Sequence, residues 1–469
     1  MRKVTIVFLV VLLLLVLGSK PVADYMLEER KQVQITEHIL EGDSSTIEGV
    51  TIELPVRWLG HQYWDITYTA GKQPSVNTDY RFYPSWDSES KRREMTYRGL
   101  YFMSYTDFIW DAEYPVSETN ERLASVAETI ELGERKERED VIIRISDYVE
   151  YYPLMIAMDI PQGNGYRRVV EEEEEWCIAE ALAQFLRIPV LEDEVRNLSI
   201  KNNGKNYVSG YGYAEGDEFR WQESTACGEE AVYFTFWPYS DFGKLMDTSL
   251  IPGGYGIYRL PYHVNGDQAE IDTDGLEMMY SIQPEELRSE CYLVLDDHGN
   301  LLLFYETEEG INFVVLDPKS GEEKQKLHLE TAKEDMDFTL VTLEDDFFVY
   351  SYGWNNYYVV DWDSARGYEK QISIEVEDYD PISSRQHMSK GMDWDGERLI
   401  YVDFVRYGAN GMDLDICDFL VAVYDKTGRI YCGQYENSLH ARSELQEAGN
   451  MSCVPHNYAG IKVFWPEEK

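Results

Sequence analysis

The sequence predicts an all-β fold built from a recurring four-strand unit, and three observations carry that expectation. The first is a repeated turn. Val314-Val315-Leu316 leads through Asp317-Pro318-Lys319-Ser320-Gly321 into a run at 324–329; Val359-Val360 leads through Asp361 to Gly367 into a run at 371–376; Val421-Ala422-Val423-Tyr424 leads through Asp425-Lys426-Thr427-Gly428 into a run at 429–435. Each is a β-branched or aromatic run, an Asp that can bond its own backbone, and a Gly that accepts positive φ, so each reads as a hairpin. The second observation is a further hairpin upstream of each. Residues 292–295 and 301–305 flank Asp296 to Asn300, 338–343 and 347–350 flank Glu344-Asp345-Asp346, and Met392 and 399–404 flank Asp393 to Glu397. The third is the period. Four antiparallel strands per roughly 40–50 residues is the spacing of β-propeller blades, and a blade must stack on neighbours because it has two apolar faces. A β-sandwich is the alternative; one turn type at one place in successive units favours the propeller. At that period, residues 50–465 predict about seven four-stranded blades.

The chain begins Met1-Arg2-Lys3, followed by an uncharged apolar run at 4–18. Positive charges ahead of such a run mark a secretory signal or an N-terminal anchor. We read residues 1–23 as an apolar helix, an uncleaved single-pass anchor with Arg2 and Lys3 inside; a cleaved signal peptide is the alternative. Residues 24–45 read as a polar stalk, helical over 24–40, and residues 46–469 as the propeller. Either N-terminal reading puts the body on the cell membrane's outer side or in the surroundings as a secreted protein.

Within the body, 50–58 and 63–69 alternate as strands, whereas 71–89 is polar and turn-rich. Strands follow at 97–109, 141–145 and 148–160. Residues 120–132 read as a short helix insertion or an exposed loop, and the acidic run Glu171 to Glu175 opens an amphipathic helix through Leu186, with two strands broken near Ala181 and then 186–191 as the alternative. Residues 202–218 read as loop, 219–223 and 230–237 as a hairpin, and 256–262 and 275–282 as a less regular copy of the repeat. The tail Ile461 to Trp465 is a short strand suited to pairing with the first strand of the body and closing the sheet edges.

Composition narrows the function. A formal charge of −45 repels nucleic acid and anionic lipid, leaving the N-terminal helix as the membrane contact. The six cysteines include no Cys-x-x-Cys, which argues against zinc. Cys417 and Cys432 flank the Asp425–Gly428 turn and form the best disulfide candidate; buried thiols are the alternative. Asp413, Asp415 and Asp418 resemble the start of a calcium loop but lack its Gly and terminal Glu. No cofactor is expected otherwise. Nucleophile-elbow, zinc-protease, phosphate-loop and dinucleotide motifs do not occur.

The strand, Asp, short polar turn, Gly, strand order at 314–329 and 421–435 resembles the last two blade strands of bacterial extracytoplasmic propellers of the quinoprotein type. That resemblance implies fold and no catalytic residues. The leading expectation is therefore a non-enzymatic extracellular binding module for a protein or a cell-envelope glycan. Its candidate ligand residues are Trp354, Asn355 and Tyr357, in Gly353-Trp354-Asn355-Asn356-Tyr357, and Trp237, in Phe236-Trp237-Pro238-Tyr239, because Trp and Tyr offer flat apolar faces and Asn offers donors and acceptors. These aromatics equally suit packing between blades. A carbohydrate-active enzyme, hydrolase or lyase, on the same scaffold is the alternative function.

Overall fold

The computed structural model describes residues 25, 27–58, 62–82, 99–104, 138–147, 150–152, 154–162, 165–168, 185–202, 206–213, 219–240, 246–265, 268–283, 287, 291–331, 338–344, 346–353, 356–376, 391–404, 418–439, 451–452 and 461–466. Among these the chain is nearly all β, in seven antiparallel sheets. It divides into two units, one of Met1–Thr96 with Asp335–Lys469 and one of Tyr97–Glu334.

The three repeats become sheets in chain order. Tyr292–Leu295, Leu301–Thr307, Gly310–Leu316 and Glu323–Thr331 form one, in the second unit. Phe338–Leu343, Phe347–Tyr352, Asn356–Asp363 and Gly367–Glu375 form another, and Gly391–Trp394, Leu399–Phe404, Phe419–Asp425 and Gly428–Asn437 are four strands of a third, both in the first unit. Middle strands are covered on both faces, so Leu301–Thr307 and Gly310–Leu316 are almost continuously buried, while the last strand, Glu323–Thr331, is mostly polar and solvated. The turn acids act as the sequence predicts at two places: Asp317 Oδ1 accepts from the Lys319 and Ser320 amides at 3.0 Å each, and Asp425 Oδ1 from the Thr427 amide at 2.7 Å. In the middle repeat the turn acid is Asp363, not Asp361. Asp363 accepts from the Ala365 and Arg366 amides at 2.9 Å, whereas Asp361 stays in the strand opposite Phe347 and Glu369. The strand continues because Trp362 packs on Tyr368, ring centroids 4.8 Å apart.

The third sheet has a fifth strand taken from the other end of the chain. Ile35–Glu41 pairs antiparallel with Gly428–Asn437, from Ile35 opposite Asn437 to Ile39 opposite Gly433. This corrects the helical stalk expected at 24–40: residues 27–30 are helical, and the strand follows. The reason lies in its partner. Tyr431, Cys432 and Tyr435 have no exposed surface, and an edge strand carrying them needs a cover. Glu37 Oε1 accepts from Tyr431 at 2.7 Å and Tyr435 at 2.9 Å, and the two hydroxyls lie 2.6 Å apart. Burial raises both phenol pKa values. Gly433 sits between the two tyrosines on their own face, and a Cβ there would meet the Tyr431 hydroxyl and the Tyr435 ring.

The C-terminus is laced into the same unit. Lys462–Phe464 pairs with Thr51–Trp58, Thr51 opposite Phe464 and Glu53 opposite Lys462, as the sequence predicts for the tail. Trp465 then docks on the neighbouring hairpin. Its amide donates to Asp393 Oδ2 at 2.7 Å, its indole N–H to the Asp393 carbonyl at 3.2 Å, and the Arg398 guanidinium lies 4.3 Å from its ring centroid. Burial pushes the Asp393 carboxyl up against these bonds. One apolar core joins Ile52, Leu54, Val56, Trp64 and Ile66 to Val402, Val421, Tyr431 and Tyr435.

Two stretches read as polar or loop are strands, the first of them in the second unit. Val195–Asn202 pairs with both Arg138–Arg144 and Asn206–Tyr213, although 202–218 reads as loop. In the first unit Ser75–Phe82 likewise pairs with Gln62–Thr69 inside the stretch read as turns. Both have weak local β signals, and tertiary pairing overrides propensity. Gly99–Ser104 and Leu154–Gln162 pair as expected strands. The apolar run at 4–18, the helix at 120–132 and most of the helix through Leu186 lie outside the described residues. Among the described residues no helix is long and apolar enough to cross a membrane.

Gly433→Ala is expected to cost about 1–3 kcal/mol by overpacking. Tyr431→Phe, which removes the obstructing hydroxyl, should reduce that cost, and a double-mutant cycle in urea reads the coupling. Trp465→Ala should destabilise by about 1–3 kcal/mol through its lost indole hydrogen bond and cation–π contact, with faster amide exchange at Thr51–Glu53 as the local readout. The Asp317 carboxyl is held at about 2, first by the Ser320 amide and then by the Lys319 amide. A lowered carboxyl pKa stabilises above the unfolded value of about 4. That contribution should fade as pH falls towards 2, and the Asp317 carboxyl resonance followed by NMR titration gives the midpoint.

Candidate functional site

The second unit contains a two-stranded ribbon that extends beyond its sheet. Phe219–Cys227 and Ala231–Ser240 pair along their whole length, from Phe219 opposite Ser240 to Cys227 opposite Val232. On its other side, Ala231–Ser240 pairs with Gly256–Asn265 only from Ala231 to Thr235. Phe236 to Ser240 therefore has one strand neighbour among the described residues. Pro238, which has no N–H to donate, is tolerated at such an edge.

The register sorts the ribbon into two faces, because directly opposed residues of an antiparallel pair share a face. Trp221 and Pro238, with Glu223 and Phe236, lie on one; Arg220 and Tyr239, with Gln222 and Trp237, lie on the other. The first face is the mount. Phe219 and Phe236 are buried with Tyr152, Leu186, Ile188 and Phe234. The Tyr152 ring stacks on Phe219, centroids 4.0 Å apart and 13° between planes, and Trp221 continues the stack at 5.5 Å from Phe219.

Behind Tyr152 lies a buried ion pair. The Tyr152 hydroxyl donates to Glu194, Arg196 donates to the same carboxylate, and the Leu191 amide donates to the Tyr152 hydroxyl at 3.0 Å. The Glu194 and Arg196 side chains are 1% and 2% exposed. Burial raises the Glu194 pKa, opposed chiefly by the Arg196 charge and by the bond from Tyr152. Burial also raises that of Tyr152. A carboxylate so enclosed, with its oxygens already accepting from a guanidinium and a phenol, orients Tyr152 and hence Phe219. It offers no solvent-reachable acid for general acid–base work, which needs reach to a substrate proton.

On the second face, Trp237 stacks on Tyr239 with centroids 5.3 Å apart. Trp237 is 8% exposed, and its Nε1 is buried with no hydrogen-bond acceptor. A buried donor left unmatched costs about 1–3 kcal/mol. Arg220, Gln222 and Tyr239 beside it are half-buried. Trp237 is packed in an apolar core with Ala226, Tyr233, Leu287 and Leu293, and Arg220, Gln222 and Tyr239 flank it.

Of the residues singled out from sequence, Trp237 lies here. Tyr357 lies in the first unit, 2% exposed, in a core with Val359, Tyr401 and Tyr424; its ring centroid is 5.9 Å from that of Tyr401. Trp354, Asn355, Asp413, Asp415 and Cys417 lie outside the described residues. Asp418 is buried and its Oδ1 accepts from the Asn437 amide at 2.7 Å, so it caps a strand end. Cys432 is buried in the strand covered by Ile35–Glu41. Among the described residues no group of three or more His, Cys, Asp or Glu could hold a metal ion. Sequence reasoning missed Tyr152, Glu194, Arg196, Arg220 and Gln222. A Glu-x-Arg pair in a strand usually marks a solvated face, and only the distant Tyr152 and Phe219 enclose this one.

No family model and no curated protein matches the chain. Among solved structures it is similar to AztD from Citrobacter koseri, at 11% identity and a TM-score of 0.29 over 89% of this chain and 90% of that one. It is similar also to Hsv2 of Kluyvelomyces marxianus, at 9% identity and a TM-score of 0.18 over 43% of this chain and 44% of that one. The fission yeast SREBP-SCAP binding domains match at 11% identity and a TM-score of 0.24, over 67% of this chain and 81% of that one. The chain spans half or less of the Hsv2 structures' length. Likenesses this remote establish no family.

Glu194→Gln is expected to cost about 3–5 kcal/mol, because it leaves the Arg196 charge buried without its counter-ion. Urea unfolding monitored by tryptophan fluorescence measures it, and Glu194→Gln paired with Arg196→Met should recover part of the loss.

Proposed function

We propose that the chain is a β-propeller of about seven four-stranded blades, borne outside the cell on an N-terminal anchor or secreted, that binds a protein or a glycan without chemical turnover. Support for the propeller comes from the three successive four-strand sheets and from the pairing of Thr51–Trp58 with Lys462–Phe464, which joins the two ends of the body. Strand exchange between chain ends removes open sheet edges, which is how such folds are closed.

One observation carries the binding reading: the unmatched indole N–H of Trp237, set beside Tyr239, Gln222 and Arg220 on an extended ribbon whose reverse face is rigidly mounted. Aromatic platforms with a few placed donors suit the flat apolar faces and hydroxyl oxygens of sugars, and equally an aromatic or amide-bearing loop of a protein. The ligand enters through side-chain rearrangement at the half-buried Tyr239 and Arg220, and its acceptor takes the Trp237 N–H.

The test is a glycan and cell-wall polymer array on the purified chain, followed by pull-down from the cell envelope. Trp237→Phe keeps a ring in the core and deletes only the donor and one ring of the indole. It is expected to weaken binding by about tenfold or more, about 1.4 kcal/mol, while the melting temperature moves by only a few degrees. Binding unchanged in Trp237→Phe would remove this face from the function. Calcium chelation is expected to change neither binding nor melting temperature, because Asp418 is already engaged by the Asn437 amide.

A further inference from the structure

Among the described residues the outer side of Ile35–Glu41 has no strand neighbour, and its hydrogen-bonding phase can be read from its first pair. The Ser438 amide donates to the Gln34 carbonyl at 2.9 Å, and the Gln34 amide donates to Ser438 Oγ at 2.9 Å. Gln34 therefore faces Gly428–Asn437. Backbone groups alternate along a strand, so Thr36 and His38 face the same way, while Ile35, Glu37 and Ile39 turn their N–H and C=O groups outwards. Among the described residues this strand pairs on one side only. The register is regular from Ile35 to Ile39 and shifts only beyond it.

Three other edge strands are guarded, whereas Tyr292–Leu295 and Phe338–Leu343 carry no basic residue. Glu323–Thr331 carries Lys324 and Lys326, Gly367–Glu375 carries Lys370, and Ser75–Phe82 carries Arg81. Basic side chains on an edge discourage further strand pairing. The sequence of Ile35–Glu41, Ile-Thr-Glu-His-Ile-Leu-Glu, has no Lys, Arg or Pro, and Ile39 and Leu40 are 49% and 50% exposed.

We propose that this edge is a strand-addition site for an extended, lysine- or arginine-bearing segment of a partner protein. Main-chain bonds to Ile35, Glu37 and Ile39 supply affinity, as in other strand-addition complexes. Charge selects the occupant. The whole chain carries −45, and Glu37, Glu41 and Glu436 outnumber Arg429 around the strand. A second copy of so acidic a chain is repelled, and a cationic segment is drawn in. This site lies in the first unit and does not rest on the ribbon of the second.

The experiment uses the full chain and two labelled peptides of about ten residues, one alternating lysine with valine and one alternating glutamate with valine. Anisotropy reads affinity, and amide exchange reads position. The cationic peptide is expected to bind at least about tenfold more tightly than the anionic one, with slowed exchange at Ile35, Glu37 and Ile39. Ile39→Pro removes an outward N–H and no bond to Gly428–Asn437, and should weaken binding at least about tenfold. Ile39→Lys, which restores a guarding charge, should act in the same direction if the proline variant does not fold. Binding that leaves those three amides unprotected, or that survives both substitutions, would overturn the proposal. So would a dimeric full chain in which these amides are protected without peptide.

Discussion

An apolar outer strand cannot be left at a sheet edge, and this constraint organises the first unit. In the sheets of the first two repeats the last strand is polar and solvated. In the third, Gly428–Asn437 carries Tyr431, Cys432 and Tyr435, all without exposed surface. Ile35–Glu41 covers them, and Glu37 accepts both phenols. The cover comes from the opposite end of the sequence, so burying these two tyrosines also ties the N-terminal segment to the last repeat. The C-terminal strand makes a second tie through Thr51–Trp58 and the docking of Trp465 on Asp393. The N-terminal segment is thus held through Glu37 and the C-terminal strand through backbone pairing with Thr51–Trp58, each by a partner far away in sequence.

The same economy operates in the second unit at the ribbon. Its mount uses a charged pair in a setting where burial opposes ionisation, and the pair persists because Tyr152 and Arg196 satisfy Glu194. Such an arrangement favours geometric specificity over raw stability. It positions Tyr152 against Phe219, while Trp237 on the reverse face is buried in an apolar core with Tyr233, Leu287 and Leu293.

How much was legible follows from where the information is local. The three repeats could be read because each Asp-to-Gly turn is bonded within a few residues; even the shift from Asp361 to Asp363 moved a turn by one pleat without moving a sheet. The tail strand was legible because its alternation is strong. The strand Asn206–Tyr213 was not, since its Gly, Asn and Ser content suits a loop and only pairing with Val195–Asn202 makes it a strand. The stalk misled for the same reason: polar residues at 35–41 read as solvated helix until Tyr431 and Tyr435 supply the face they cover. One clue was present, since the last strand of the third repeat is more aromatic than its two counterparts.

By itself the sequence determined the β class, the four-strand repeat, the acidic surface and the candidacy of Trp237, because hydrophobic period, turn chemistry and charge are written in neighbouring residues. Tertiary structure alone decided that Ile35–Glu41 is a fifth strand, that Glu194 and Arg196 are buried rather than solvated, and that Tyr357 and Trp237 are both core residues, in different units. Each depends on which distant segment lies opposite, and burial, pairing and pKa are properties of that juxtaposition rather than of any residue type.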